Sequence, residues 1–183
     1  CALPIWISYG NHAGKTPFRE AKGTGFDGGI RSACIAKYPG KIPAGSRSQR
    51  AFGSIDILPT FAHLAGAPLP KNPIDGRNVW DLIIGREGAE NPHAGYFFGT
   101  GNQFEGVISG DGRWKLHRPH SYRTLVEPGR DGAAGKYRTE SIEWSLFDLG
   151  ADPLERRNAI SDHPGVAARL RALVEQHARE FYP

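Results

Sequence analysis

The hydrophobic period of this chain changes once, near residues 86–95, and that change limits the architectures open to it. Before it, Ile55, Leu58, Phe61, Ala62, Leu64 and Ala65 recur at helical spacing and stop at Gly66, which predicts a short helix over 56–65. Ser54 or Asp56 can cap its start, and Pro59 is tolerated if it falls in the first turn. After Pro68-Leu69-Pro70, the residues Ile74-Asp75-Gly76 predict a turn and those up to Gly85 about two turns of helix.

Beyond the change the period becomes two. Tyr96-Phe97-Phe98, Glu105 to Ser109 and Trp114 to His117 read as strands, with Gly110-Asp111-Gly112-Arg113 closing a hairpin between the last two. Trp144 to Leu149 reads as another strand, and Val126 to Tyr137 as a long Gly-rich excursion of the kind that is functional or mobile in compact domains. The last element opens at Pro164 after a cap at Asp162 or His163, with Val166, Leu170, Leu173, Val174 and His177 on one face of a helix. His177 is expected to pack there rather than ligate. The predicted organisation is the end of an α/β layer over 1–92, followed over 93–183 by a compact antiparallel sheet with a helix, an α+β unit.

Composition narrows the class. With 24 Gly and 14 Pro in 183 residues the chain is rich in loops. No apolar run approaches the ~20 residues of a helical bilayer span, and no charged-then-apolar leader is visible, which leaves a secreted protein open. The absence of Met and the opening Cys1-Ala2-Leu3-Pro4 read as a piece of a longer protein. The net charge of +4 comes from cations scattered singly, such as Lys15, Lys22, Lys37, Lys41, Lys71 and Lys115. Nucleic-acid binders concentrate charge beside stacking aromatics, so no nucleic-acid partner is expected. Cys1 and Cys34 fit neither a zinc spacing nor a disulfide framework, and Cys34, inside Ala33-Cys34-Ile35-Ala36, is expected as a small buried strand residue.

Chemistry concentrates in the stretch from Gly10 to Arg31, where His12, several cations and many glycines fill a loop without period. Such a loop brings backbone N–H groups and cationic heads around an anion. It lacks the P-loop spacing, and although Gly23, Gly25 and Gly28 match a dinucleotide fingerprint, Ile30 to Ala36 reads as strand where that motif needs a helix. Nothing in the spacing of Glu20 and Asp27 brings them together as an acid/base pair. Asp152-Pro153 with Glu155 and Asn158 has turn chemistry, and Trp114 and Trp144 read as core aromatics.

Several of these segments occur in a familiar order. Ser8-Tyr9-Gly10-Asn11-His12, Lys22-Gly23-Thr24-Gly25-Phe26-Asp27-Gly28-Gly29-Ile30-Arg31 and Tyr38-Pro39-Gly40 come first. Ser54 to Phe61, Ile74 to Asn78, Arg113 to His117, Leu146-Phe147-Asp148-Leu149 and Asp152-Pro153-Leu154-Glu155 follow. Together they resemble the C-terminal part of a type I sulfatase of the arylsulfatase class. The resemblance implies an alkaline-phosphatase-like α/β fold, of which this chain is the C-terminal portion, followed by a small antiparallel-sheet subdomain with a C-terminal helix. It also implies hydrolysis of a small-molecule or glycan sulfate ester to alcohol and inorganic sulfate, in a periplasmic or secreted protein.

The same resemblance implies a formylglycine, made from Cys or Ser in C/S-x-P-x-R, and a calcium ion. This chain is expected to supply neither and to be inactive by itself. Cys1 and Cys34 lack that motif, and Ala2 and Leu3 stand where similar sulfatases carry Asp and Asn before Trp6. Calcium needs hard oxygen ligands, and those side chains have none. Lys22 is implied as the catalytic sulfate contact, a compact charge with three donors suited to sulfate oxygens. His12 is an expected substrate-binding residue. His117 and His120, with Arg118 and Arg123, are expected as a cationic edge facing an anionic aryl or sugar sulfate. Two other readings are a phosphatase or phosphodiesterase of the same superfamily and a non-catalytic binding module for sulfated ligands.

Overall fold

A computed structural model describes residues 17–20, 22–127 and 135–182. The expected strand at Ile5-Trp6-Ile7, His12 and the positions Ala2 and Leu3 lie outside the described residues. In chain order the elements are α1 (Asp27–Ile30), a 3₁₀ turn (Ser54–Asp56), α2 (Ile57–Ala65), α3 (Trp80–Ile83), β1 (Gly95–Thr100), β2 (Gln103–Ser109), β3 (Trp114–His117), β4 (His120–Glu127), β5 (Lys136–Ile142), β6 (Ser145–Asp148) and α4 (Pro164–Phe181).

Packing divides the described residues into two compact units. The first gathers those within Cys1–Cys34, Phe97–Ile108 and Arg113–Pro183. Its main sheet has the order β1-β2-β3-β6, with Val107 opposite Leu116 and Leu116 opposite Leu146 in antiparallel register. The long helix α4 lays Ala167, Leu170 and Val174 on the sheet side chains Phe104, Val107, Trp114, Leu116 and Leu146, as the period of its sequence requires. A fully buried side chain of this kind contributes about 1.5–3 kcal/mol. His177 stacks on Phe97 with ring centroids 3.9 Å apart, so it packs. A separate antiparallel ribbon, β4-β5, carries a register shift between Leu125 and Glu127.

The second unit comprises Ile35–Tyr96 with Ser109–Gly112. Its organiser is the buried carboxylate of Asp56. It accepts hydrogen bonds from the N–H groups of Gly53 and Arg77, each at 2.9 Å, and from the Tyr96 hydroxyl at 2.9 Å, and it meets His93 Nε2 at 2.7 Å. Burial works against the charged form, and these partners together hold its pKa below the usual carboxylate value. Thr60 Oγ1 accepts from Val79 N at 3.0 Å, tying α2 to the turn before α3. Gly66 ends α2 in the left-handed conformation, φ 63°, as its place after the last apolar residue predicts. On its outward face α2 leaves Leu58 54% and Phe61 61% exposed, so this helix is apolar on more than one side.

Three expectations are corrected. No strand forms over Ile30 to Ala36: Asp27 to Ile30 make a single helical turn, closed by Gly29 and Ile30 N–H groups on the Phe26 carbonyl, and residues 31–38 run irregularly without a ladder. Cys34 is therefore exposed rather than buried. The helix before Gly85 is one turn, because the Ile84 and Gly85 N–H groups tighten onto Trp80 and Leu82 and Gly85 turns left-handed at φ 66°. Finally, of the excursion from Val126 to Tyr137 only the two ends are described and they are strand, β4 reaching Glu127 and β5 starting at Lys136; residues 128–134 lie outside the described residues.

Candidate functional site

The site is built from the first unit alone. Its first component is the segment from Arg19 to Arg31, which leaves the body of the unit and returns to it. Arg19 lies over the Phe26 ring at 4.0 Å and donates from Nη1 to the Glu155 carbonyl at 2.7 Å. Glu20 adopts a left-handed backbone, φ 55°, and its carboxylate accepts from Thr124 Oγ1 at 2.8 Å. On the return, Gly28 N donates to the Arg19 carbonyl at 2.9 Å. No side chain fits at Gly28, because a Cβ there would run into the Arg19 and Glu20 carbonyls. Between these stitches Lys22 is exposed, followed by Gly23 at φ 93°.

Below that tip sits a buried ion cluster. Lys115, in the middle of β3, places Nζ 2.5 Å from Asp27 Oδ1 and 2.8 Å from Glu155 Oε1, and donates to the Gly25 carbonyl at 3.3 Å. Glu155 in turn accepts from the Asp27 N–H at 2.7 Å, and Arg31 reaches the Asp27 carboxylate at 3.2 Å. Burial tends to raise the Glu155 pKa, but the facing His117, the Lys115 ammonium and the Asp27 N–H outweigh it and leave the carboxyl below its ordinary value. Three segments far apart in sequence thus meet in one charged knot.

Sequence reasoning missed this knot. Alternation along Trp114-Lys115-Leu116-His117 suggests a solvent face for Lys115, yet all four residues of β3 are buried. The available signal was a charged residue in a strand too short to offer it a wet face. A turn carboxylate at Glu155 and an acid beside two glycines at Asp27 gave no spacing that joins them to it.

The two histidines also stand differently from expectation. His117 is buried, stacks on Phe26 at 4.8 Å and on His120 at 5.3 Å, and faces Glu155 at 3.7 Å. His120 faces Glu105 at 3.7 Å, and its Nδ1 meets the Arg118 carbonyl at 2.7 Å. Burial pushes the His117 pKa down to about 4, so its imidazole is neutral near pH 7. Arg118 lies over Phe104 and Arg123 over Tyr137. The four residues form no common exposed cationic edge, because both histidines are buried.

Among the described residues no three His, Cys, Asp or Glu side chains are arranged to hold a metal ion, and neither cysteine stands in C/S-x-P-x-R. What the arrangement can do is present one exposed lysine at a loop tip whose stem is fixed by buried charge.

No family model matches the chain. Among curated proteins it is 31% identical to human arylsulfatase A over 166 residues, covering 86% of this chain and 32% of that protein. It is 33% identical to bovine arylsulfatase A over 177 residues, covering 93% and 34% respectively. The chain belongs with the sulfatases. A third sulfatase, the dog N-acetylgalactosamine-6-sulfatase, is 30% identical over 97% of the chain and 36% of its own length. The chain thus spans about a third of the length of the sulfatases it matches. A solved Bacteroides thetaiotaomicron structure, described in connection with metabolism of multiple glycosaminoglycans, superposes with a TM-score of 0.61 at 23% identity, over 87% of this chain and 31% of that one. That likeness is one of fold, and it agrees with the sulfatase relationship. Among the described residues no helix is long and apolar enough to cross a membrane.

Proposed function

We propose that the protein containing this chain hydrolyses sulfate esters to an alcohol and inorganic sulfate, and that Lys22 contacts the sulfate group. The observation that carries the reading is the exposure of Lys22 at a tip whose stem is anchored on both sides, in a chain related to arylsulfatases. An ammonium there offers a compact charge and three donors to sulfate oxygens, whose negative charge spreads further as the S–O bond breaks. His12 is proposed as a substrate-binding residue.

Calcium and formylglycine belong to the proposal for the whole enzyme, and neither is assigned to residues of this chain. By itself the chain is proposed to be inactive. The substrate class is a small-molecule or glycan sulfate ester, met in the periplasm or outside the cell. Residues 1–92 are proposed as the end of the catalytic α/β domain and 93–183 as its C-terminal subdomain. His117 and His120, neutral or enclosed, support the substrate side of that subdomain from behind rather than by direct charge.

The test is release of inorganic sulfate from an aryl sulfate and a sulfated sugar by the intact protein. Lys22→Ala is expected to lower kcat/KM at least a hundredfold, roughly the cost of losing one charge-stabilising group. An unchanged kcat/KM would remove Lys22 from the site. Binding of sulfated sugars without calcium and without turnover would replace the enzyme reading with that of a binding module.

A further inference from the structure

We infer that Lys115 is a positioning residue for the loop that presents Lys22. This deepens the proposed function and rests on the reading of Lys22 as the sulfate contact. Lys115 itself is fully buried and touches no site for substrate, so its action on the reaction is through the loop.

The geometry is specific to one stretch of backbone. The Lys115 ammonium bonds the Gly25 carbonyl and the Asp27 carboxylate, three and five residues beyond Lys22. Its second counter-ion, Glu155, takes the Asp27 N–H with Oε2, and its carbonyl takes Arg19 from the other side of the tip. One cation on a central strand therefore fixes the descending limb directly and, through Glu155, is linked to the ascending limb. Between the two limbs lies Gly23, at φ 93°, whose backbone has no side chain to restrain it.

The energetics favour positioning over simple stabilisation. A buried ion cluster gains little over well-packed apolar residues, because desolvating the charges offsets their attraction. What it supplies is direction: each carboxylate and carbonyl must meet the ammonium at hydrogen-bond range, and an apolar side chain imposes no such requirement. A sulfate contact held within about half an ångström needs a stem locked in this way.

Two variants in the intact protein test the inference by amide hydrogen exchange and by competition with inorganic sulfate. Lys115→Met removes the cation. Asp27→Asn keeps the volume and the backbone N–H to Glu155, and carries the test if the first variant fails to fold. The expected result is exchange at Gly23 to Gly29 accelerated at least tenfold more than exchange in β2, β3 and β6, whose amides follow only the global loss of stability. With it, the inhibition constant for inorganic sulfate rises at least tenfold, as it does in Lys22→Ala. Unchanged exchange in the loop, or an equal acceleration across the whole sheet, overturns the positioning role. A faster loop combined with a sulfate constant that Lys22→Ala leaves unaltered overturns instead the reading of Lys22, and the functional part of this inference with it.

Discussion

The imidazole of His117 stacks on the ring of Phe26, centroids 4.8 Å apart and planes 27° from parallel. Phe26 also carries the Arg19 guanidinium 4.0 Å from its centroid. The aromatic of the Lys22 loop thus packs against a side chain of β3 and against the guanidinium at the start of its own segment.

Acid is expected to weaken this arrangement. His117 has a folded pKa of about 4 against 6.5 for a free imidazole. As pH falls through 6.5 the unfolded chain takes up a proton that the folded chain refuses, so stability declines until pH reaches about 4. Glu155, whose pKa is lowered in the fold, loses its contribution as pH falls through the carboxylate range, in the same direction. Thermal midpoints measured from about pH 7 downward should fall, and His117→Phe should flatten the upper part of that decline. Parallel curves for the two proteins would refute the assignment.

Removing one charge from the buried knot should cost more than removing all three. Lys115→Met leaves Asp27 and Glu155 facing each other without a cation, a loss of roughly 3–5 kcal/mol. The triple variant with Asp27→Asn and Glu155→Gln should recover part of that loss. Urea denaturation of the single and triple variants decides the matter; additive losses would mean the three groups act independently.

Leucines of equal size should behave unequally. Leu170 is fully buried against the sheet, and Leu170→Ala is expected to cost about 2–5 kcal/mol. Leu58, on the outward face of α2, should cost under about 1 kcal/mol when cut to Ala, a surface-type change. Chemical denaturation of both variants, compared at one temperature, checks the contrast.

Asp56 should be the most sensitive single position of the second unit. Asp56→Ala removes the acceptor of two backbone N–H groups and of His93 and leaves the Tyr96 hydroxyl only Asn91, and each buried group left unpaired costs about 1–3 kcal/mol. Asp56→Asn, which keeps an acceptor oxygen, should lose less. Equal thermal midpoints for the two variants would show that the carboxylate is not the organiser.

Where chemistry is local, the sequence announces the structure. The α4 face from Val166 to His177 and the hairpin at Gly112, φ 74°, are written in neighbours a few residues apart. The ribbon β4-β5 escaped notice because Arg123, Thr124, Arg138 and Glu140 pair across it in place of apolar residues. Cys34 misled because a small apolar run resembles a strand whether or not a partner exists for it. Lys22 was legible as a loop lysine from a resembling motif. Its support was not, since Lys115 stands 88 residues from Asp27, and Glu155 lies 128 residues beyond it.

Those separations have a consequence for synthesis. The loop emerges from the ribosome long before β3 and the turn at Glu155 exist, so during most of translation it has neither cation nor cap. Its closure waits for the turn at Glu155, against the entropy of two long loops at once. The lysine proposed to meet the substrate is among the earliest described residues made and among the last to be put in place.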